Sequence, residues 1–151
     1  MIKELWTLIK MLFASKPSDI CKVEVVDMRH FPFDGYKAMY WCGYIIHRIG
    51  ASDVDDKTIR HETFHLWQAK EHRSWIRYYV KYIREWLKGN PFFAPSISAY
   101  YTIPFEMEAY ANEDNLDYVV TADSWKRYSI KNRKRTYKVN RYEWKTFVKS
   151  L

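Results

Sequence analysis

The residues best suited to chemistry are His61, Glu62 and His65, which form the pattern His-Glu-x-x-His. In a helix, positions four apart lie on one face, one turn above the other, so both imidazoles can reach one metal ion. Glu62 is rotated by roughly 100° and can contact a water on that ion without being a ligand. This arrangement is typical of zinc metallopeptidases.

A catalytic zinc ion needs a third protein ligand and one open position. The best candidates are Glu106 and Glu108, which lie on a helix predicted over residues 104–118. At roughly 100° per residue they point about 200° apart, so only one of them can face the metal. His72 follows His65 by seven positions and would lie about 10 Å further along the helix, too far to bind the same ion.

The spacing of these residues resembles that of the gluzincin metallopeptidases, in particular their minimal HExxHxxQ versions. The matching segments are His61-Glu62-x-x-His65-x-x-Gln68 and, downstream, Glu106-x-Glu108-Ala109-Tyr110. The resemblance covers residues 54–118. It implies a zincin-like metallopeptidase core holding one Zn2+ ion.

In that family the third ligand comes from a helix with the pattern Glu-x-x-Ala-Asp. Aligning on Ala109 implies Glu106 as the ligand, with Glu108 as the alternative. The family's Asp, which supports a ligating histidine, falls at Tyr110, and this departure removes a negative charge. Tyr110, Gln68 and Glu108 are the residues expected to support the ligands, with a polar contact to the neighbouring helix as the alternative for Gln68.

The chemistry implied is hydrolysis of peptide bonds by a metal-activated water, with Glu62 as the general base. The sequence does not decide which residue donates a hydrogen bond to the oxyanion, and the candidates are Tyr100, Tyr101, Tyr110 and His72. Residues 36–47 offer an edge strand to an extended peptide or protein substrate. His30 and His47 are expected to be surface or hydrogen-bonded core residues rather than ligands.

The periodicity of apolar residues predicts an α+β fold, with a small N-terminal strand layer and three or more helices. An amphipathic helix is predicted to pack on the core, or alternatively to lie in a membrane interface. The amphipathic helix is predicted over 2–15, followed by a strand over 20–28 and by a second strand or bent pair over 36–48 with a bulge at Gly43. Helices beginning near Val54 and Ser74 are predicted over 54–72 and 74–88. A short extended piece at 97–101 and a last helix over 104–118 complete the prediction.

The length of 151 residues predicts a single domain. With only 4 glycines, the chain has neither a G-x-G-x-x-G nor a Walker A loop. Cys21 and Cys42 fit neither a disulfide framework nor a metal spacing, which favours a reducing compartment. No run of 18 apolar residues predicts a transmembrane segment. The expected location is the cytoplasm, with peripheral membrane association as an alternative.

Much of the net charge of +7 lies in a basic, aromatic tail over residues 125–151. The segment from residue 126 to residue 145 contains nine Lys or Arg residues and a single acidic residue, Glu143. A solvated basic face is the simpler interpretation, and nucleic acid or another anionic surface is the alternative partner. The residues named for polyanion binding are Lys131, Arg133, Lys134 and Arg135. The alternative function is thus a non-catalytic zinc-containing binding module.

Overall fold

A computed structural model describes residues 1–89 and 96–128 of the chain. These ranges contain five α-helices and one three-stranded sheet, which confirms the predicted α+β class. The chain divides into two compact units, Met1–Ile76 and Arg77–Leu151.

The sheet of the first unit combines one parallel and one antiparallel pair. Its strands are β1 (Glu24–Met28), β2 (Ala38–Trp41) and β3 (Tyr44–Arg48), in the spatial order β1-β3-β2. β1 runs parallel to β3, and β2 pairs with β3 as a hairpin. The predicted bent pair at 36–48 is therefore this hairpin, and β1 is shorter than the predicted strand at 20–28.

A two-residue turn joins β2 and β3. Cys42 and Gly43 both have positive φ values, 49° and 91°. Such values suit the tight hairpin turns whose twist matches that of the strands. The expected bulge at Gly43 is thus wrong. A Cβ atom at this position would also lie 2.9 Å from Cγ1 of Ile20, so glycine fits both the backbone and the space.

The first helix packs on the sheet through a different face from the one that its apolar pattern predicts. α1 spans Ile2–Ala14, and Leu8 is its buried residue. Leu8 joins a cluster with Met28, Phe31 and Ile46, and its carbonyl accepts a 2.8 Å hydrogen bond from Trp41 Nε1. The apolar residues whose helical spacing predicts a core-facing row are mostly exposed instead, namely Ile2, Leu5, Trp6, Ile9 and Phe13.

The helix that carries the His-Glu-x-x-His pattern is α2, which spans Asp56–Glu71. It begins two residues later than predicted. Asp55 is its N-cap, and Oδ1 accepts hydrogen bonds from the Thr58 amide at 2.7 Å and the Thr58 hydroxyl at 2.6 Å. A single carboxylate therefore caps the start of α2. α2 contacts β2.

α3 (Trp75–Lys88) begins at the end of the first unit and continues into the second. It is followed by α4 (Ser96–Tyr101), α5 (Pro104–Asn112) and a short 3-10 helix at Ser124–Tyr128. Two predictions are wrong here. The piece at 97–101 is helical rather than extended, and α5 ends at Asn112 instead of Tyr118. Turns at Asn115 and Tyr118, closed by backbone bonds to Asn112 and Asn115, replace its predicted last turns.

Aromatic packing around Phe105 holds the second unit together. Phe105 is fully buried at the start of α5. Its ring meets Tyr78 edge-on at 5.4 Å between centroids and stacks on Tyr82 at 6.1 Å and Trp125 at 4.9 Å. These contacts fix α5 against α3 and the 3-10 helix, and so set the direction in which α5 presents its side chains. None of the helices in the described residues has both the length and the apolar character needed to span a bilayer.

Candidate metal centre

His61 and His65 lie on one face of α2, as their spacing predicts. Their exposed fractions are 6% and 3%, and the rings meet edge-on with centroids 5.0 Å apart. Glu62, between them in sequence, is buried as well. Buried polar groups of this kind are costly unless they are hydrogen-bonded or coordinate a metal. This part of α2 therefore removes two imidazoles and one carboxylate from bulk water.

Gln68 orients the second histidine. Its Oε1 lies 2.9 Å from Nδ1 of His65, one turn along α2, and both side chains are buried. An amide oxygen can only accept, so in the neutral ring Nδ1 carries the proton and Nε2 keeps a lone pair. Metal-ligating histidines commonly donate their second N–H to such an acceptor. The structure thus places Gln68 where the sequence suggested a supporting residue.

The other histidines have local partners. Nδ1 of His72 lies 2.7 Å from the Gln68 carbonyl oxygen at the end of α2. His30 lies 2.9 Å from Glu4, and His47 lies 2.8 Å from Asp27. These positions agree with the expectation that His30 and His47 are surface or hydrogen-bonded residues.

Tyr40 of β2 belongs to the surroundings of this helix face and was not singled out by sequence. Its ring centroid lies 6.0 Å from that of His65. Burial, and to a smaller extent the charge of Glu62, raises the pKa of Tyr40 far above its usual range. Its hydroxyl therefore stays protonated at any physiological pH. The sequence carries no local pattern that links Tyr40 to the histidines. Tyr40 lies near them because β2 packs against α2.

In the second unit, α5 presents Glu106 with both carboxylate oxygens bonded. Oε1 accepts a 2.6 Å hydrogen bond from the Tyr82 hydroxyl on α3, and Oε2 accepts one of 2.7 Å from Tyr100 on α4. Glu106 is only 3% exposed. Each oxygen has a further lone pair, so the two hydroxyls fix the carboxylate while leaving it able to bind a cation. Sequence reasoning named Tyr100 only as an oxyanion donor and missed Tyr82.

Glu108 and Tyr110 have different neighbours from Glu106. Glu108 is fully buried and accepts a 2.9 Å hydrogen bond from Tyr118 through Oε1. Burial, with the charge of Glu108 as the next cause, raises the pKa of Tyr118 above its usual range. Tyr110 packs beside Met107 and Tyr128, with its ring centroid 6.2 Å from that of Tyr101. Two positions apart on α5, the two glutamates thus point to different sides of the helix and have separate partners.

His61, His65 and Glu106 form a group that could hold a metal ion, with one ligand atom from each residue within 4.8 Å of the others. Among the described residues, this group includes Glu106 and not Glu108. Two imidazole nitrogens and one carboxylate oxygen are a ligand set that suits zinc.

The residues named for polyanion binding, Lys131, Arg133, Lys134 and Arg135, lie outside the described residues, which end at Tyr128. Within the described range, Lys126 and Arg127 are exposed, and Lys126 forms an ion pair with Asp123. Comparisons of the chain with family models, with curated proteins and with solved structures find no match.

Proposed function

We propose that the protein is a zinc-dependent metallopeptidase with a zincin-like core, in which His61, His65 and Glu106 bind one zinc ion. The observation that carries the proposal is the buried group of two histidines and one glutamate whose ligand atoms lie within 4.8 Å of one another. Three protein ligands leave the fourth tetrahedral position open, as catalytic zinc sites require.

The surroundings of the three residues favour a metal over a purely structural role. Gln68 leaves Nε2 of His65 with a lone pair, and two tyrosine hydroxyls hold the Glu106 carboxylate in place. Partners of this kind orient ligands and strengthen metal binding. Burial of all three residues further favours an ion, since a cation offsets the cost of removing the carboxylate from water.

Glu62 is the residue proposed to move protons. It follows the first ligand on α2, is buried, and can take a proton from an attacking water and then pass it to the leaving amine. Zinc, when bound, lowers the pKa of a coordinated water toward about 7 and polarises the scissile carbonyl. Tyr40 beside His65 keeps its proton and can donate to a developing negative charge.

An extended peptide is the proposed substrate, and β2 is the proposed docking strand. In the described sheet, β2 lies at the edge, pairs with β3 on one side and contacts α2. An edge strand can pair with a peptide through main-chain hydrogen bonds, which favours recognition of extended chains over one particular side chain.

Hydrolysis of fluorescently labelled, denatured casein tests the proposal. The zinc-loaded protein should cleave it, a zinc chelator should stop cleavage, and added zinc should restore it. Glu62→Gln should retain zinc and lose activity by about 10²–10⁴-fold, the usual contribution of a general base. Glu71→Gln changes an exposed glutamate on the same helix and should leave the rate unchanged.

Two results would count against a peptidase. Zinc-loaded wild-type protein that leaves casein and unstructured peptides intact would reduce the proposal to a zinc-binding protein. Equal rates for Glu62→Gln and wild type would remove Glu62 from the reaction.

A further inference from the structure

The first feature behind this inference is an exposed apolar row along α1. Ile2, Trp6, Ile9 and Phe13 are separated by four, three and four positions, so they line up on one face of the helix. Their exposed fractions run from 36% to 80%. Lys3 and Lys10 lie beside this row and are exposed too. A row of large apolar side chains that is exposed to solvent generally marks an interaction surface.

α3 carries a second row with the same spacing. Ile76, Val80, Ile83 and Leu87 are also separated by four, three and four positions, and each is about half exposed. One position further on in each case stands a basic residue, so a positively charged row runs parallel to the apolar one. The exposed residues of this basic row are Arg77, Lys81, Arg84 and Lys88.

The acidic side chains of both helices lie away from these faces. The single acid of α1, Glu4, accepts hydrogen bonds from the backbone amides of Arg29 and His30 on the sheet side. The single acid of α3, Glu85, is buried and pairs with Lys88 at the end of the basic row, so the positive charge of the exposed α3 face rests on Lys81 and Arg84. Each exposed face is therefore apolar and positive, which complements an anionic surface that has an apolar interior.

The shape of the α3 face favours a lipid surface over a protein groove. The surface lined by Val80, Ile83, Arg84, Leu87 and Lys88 is open rather than enclosed. A protein partner typically inserts an anchor side chain into a well-formed pocket. Lysine and arginine stems can instead extend from an apolar row toward lipid headgroups, while the apolar side chains enter the acyl boundary.

We propose that α1 and α3 are peripheral membrane-binding helices that recognise bilayers containing anionic lipids. Each helix would lie in the interface, with its apolar row toward the acyl chains and its basic residues at the headgroups. The proposal is independent of the metal centre, because neither row includes a residue of that group.

Co-sedimentation of the full chain with lipid vesicles tests this. The protein should partition onto phosphatidylcholine vesicles that contain phosphatidylserine, more weakly onto phosphatidylcholine alone, and less as salt rises. The paired changes Trp6→Ser with Phe13→Ser, and Val80→Ser with Ile83→Ser, should each reduce partitioning by about tenfold or more. Lys81→Gln with Arg84→Gln should reduce it by about tenfold on the anionic vesicles only.

The matched control replaces exposed apolar residues without a neighbouring basic row. Leu116→Ser with Val119→Ser should leave partitioning unchanged, since both side chains are exposed near Asp114 and Asp117. No partitioning of the wild type would overturn the proposal. Equal partitioning of all variants would assign attachment to basic residues elsewhere and would overturn it too. A dimer in sedimentation velocity that Val80→Ser with Ile83→Ser abolishes, without vesicle binding, would identify the α3 row as a self-association surface.

Discussion

Oε1 of Gln68 lies 2.9 Å from Nδ1 of His65, and both side chains are buried on the same face of α2. The contact determines which ring nitrogen carries the proton, so it determines which nitrogen can bind a metal. A residue three positions beyond the second histidine thus orients the proposed ligand without being one.

Removing this acceptor should weaken zinc binding. Gln68→Leu keeps a similar volume but leaves Nδ1 of His65 without its amide partner, so the dissociation constant for zinc should rise about 10–100-fold. Competition with a chromophoric chelator measures the constant. Gln68→Glu restores an acceptor oxygen and should recover most of the affinity. Equal affinities for Gln68→Leu and wild type would exclude this role for Gln68.

The tyrosines that hold the two glutamates allow a second comparison. Tyr82→Phe and Tyr100→Phe each remove one hydroxyl from Glu106 and should weaken zinc binding by about tenfold or more. Tyr118→Phe removes the hydroxyl from Glu108 and should leave the affinity unchanged. The same chelator competition applies. If Tyr118→Phe were the damaging change, the ligand on α5 would be Glu108 instead of Glu106.

The N-cap of α2 should make stability depend on pH at acid values. Hydrogen bonds from the Thr58 hydroxyl and amide lower the pKa of Asp55 to about 2. The unfolded chain has a value of about 3.9. Because the folded-state pKa is lower, the ionised Asp55 cap stabilises the folded protein fully above about pH 4, and this stabilisation is lost as the pH falls toward about 2.

The melting-temperature difference between wild type and Asp55→Ala should follow this range. It should be constant above about pH 4 and shrink below it. Asp53→Ala, two positions earlier, is the control and should lack this dependence. A difference that stayed constant down to about pH 2 would contradict the assignment.

The packing of α1 leads to a stability prediction. Leu8→Ala should lower the free energy of unfolding by about 2–3 kcal/mol, because Leu8 is buried against Met28 and Ile46. Phe13→Ala, which changes an exposed side chain of the same helix, should alter it by less than about 0.5 kcal/mol. Urea denaturation measures both. Reversed effects would mean that the other face of α1 packs on the sheet.

Local spacing made the histidine pair predictable. His61, His65 and Gln68 lie on one helix, where positions three and four apart are neighbours whatever surrounds them. The same rule indicated that Glu106 and Glu108 diverge. It could not reveal Tyr82, because 24 positions separate Tyr82 from Glu106 in sequence. Tertiary packing, including that of the Phe105 ring on Tyr82, brings α3 and α5 together.

Tertiary contacts and turns, rather than local sequence patterns, determine the buried face of α1, the conformation of residues 97–101 and the end of α5. The apolar row of α1 predicted the buried face wrongly, because the sheet accepts Leu8 and Met11 while the more apolar row stays exposed. Residues 97–101 are aromatic and short, a composition that suits a strand as well as the helical turn seen in α4. The last turns predicted for α5 are replaced at Asn115, whose side-chain oxygen accepts the Asp117 amide.

Native mass spectrometry of the purified chain tests the central claim most directly. The wild type should carry one zinc ion per chain, Glu106→Ala and His65→Ala should lose it under the same conditions, and Glu108→Ala should keep it. The account would be contradicted by a wild type that binds no zinc when zinc is supplied. Retention of a full equivalent of zinc by both Glu106→Ala and His65→Ala would contradict it equally.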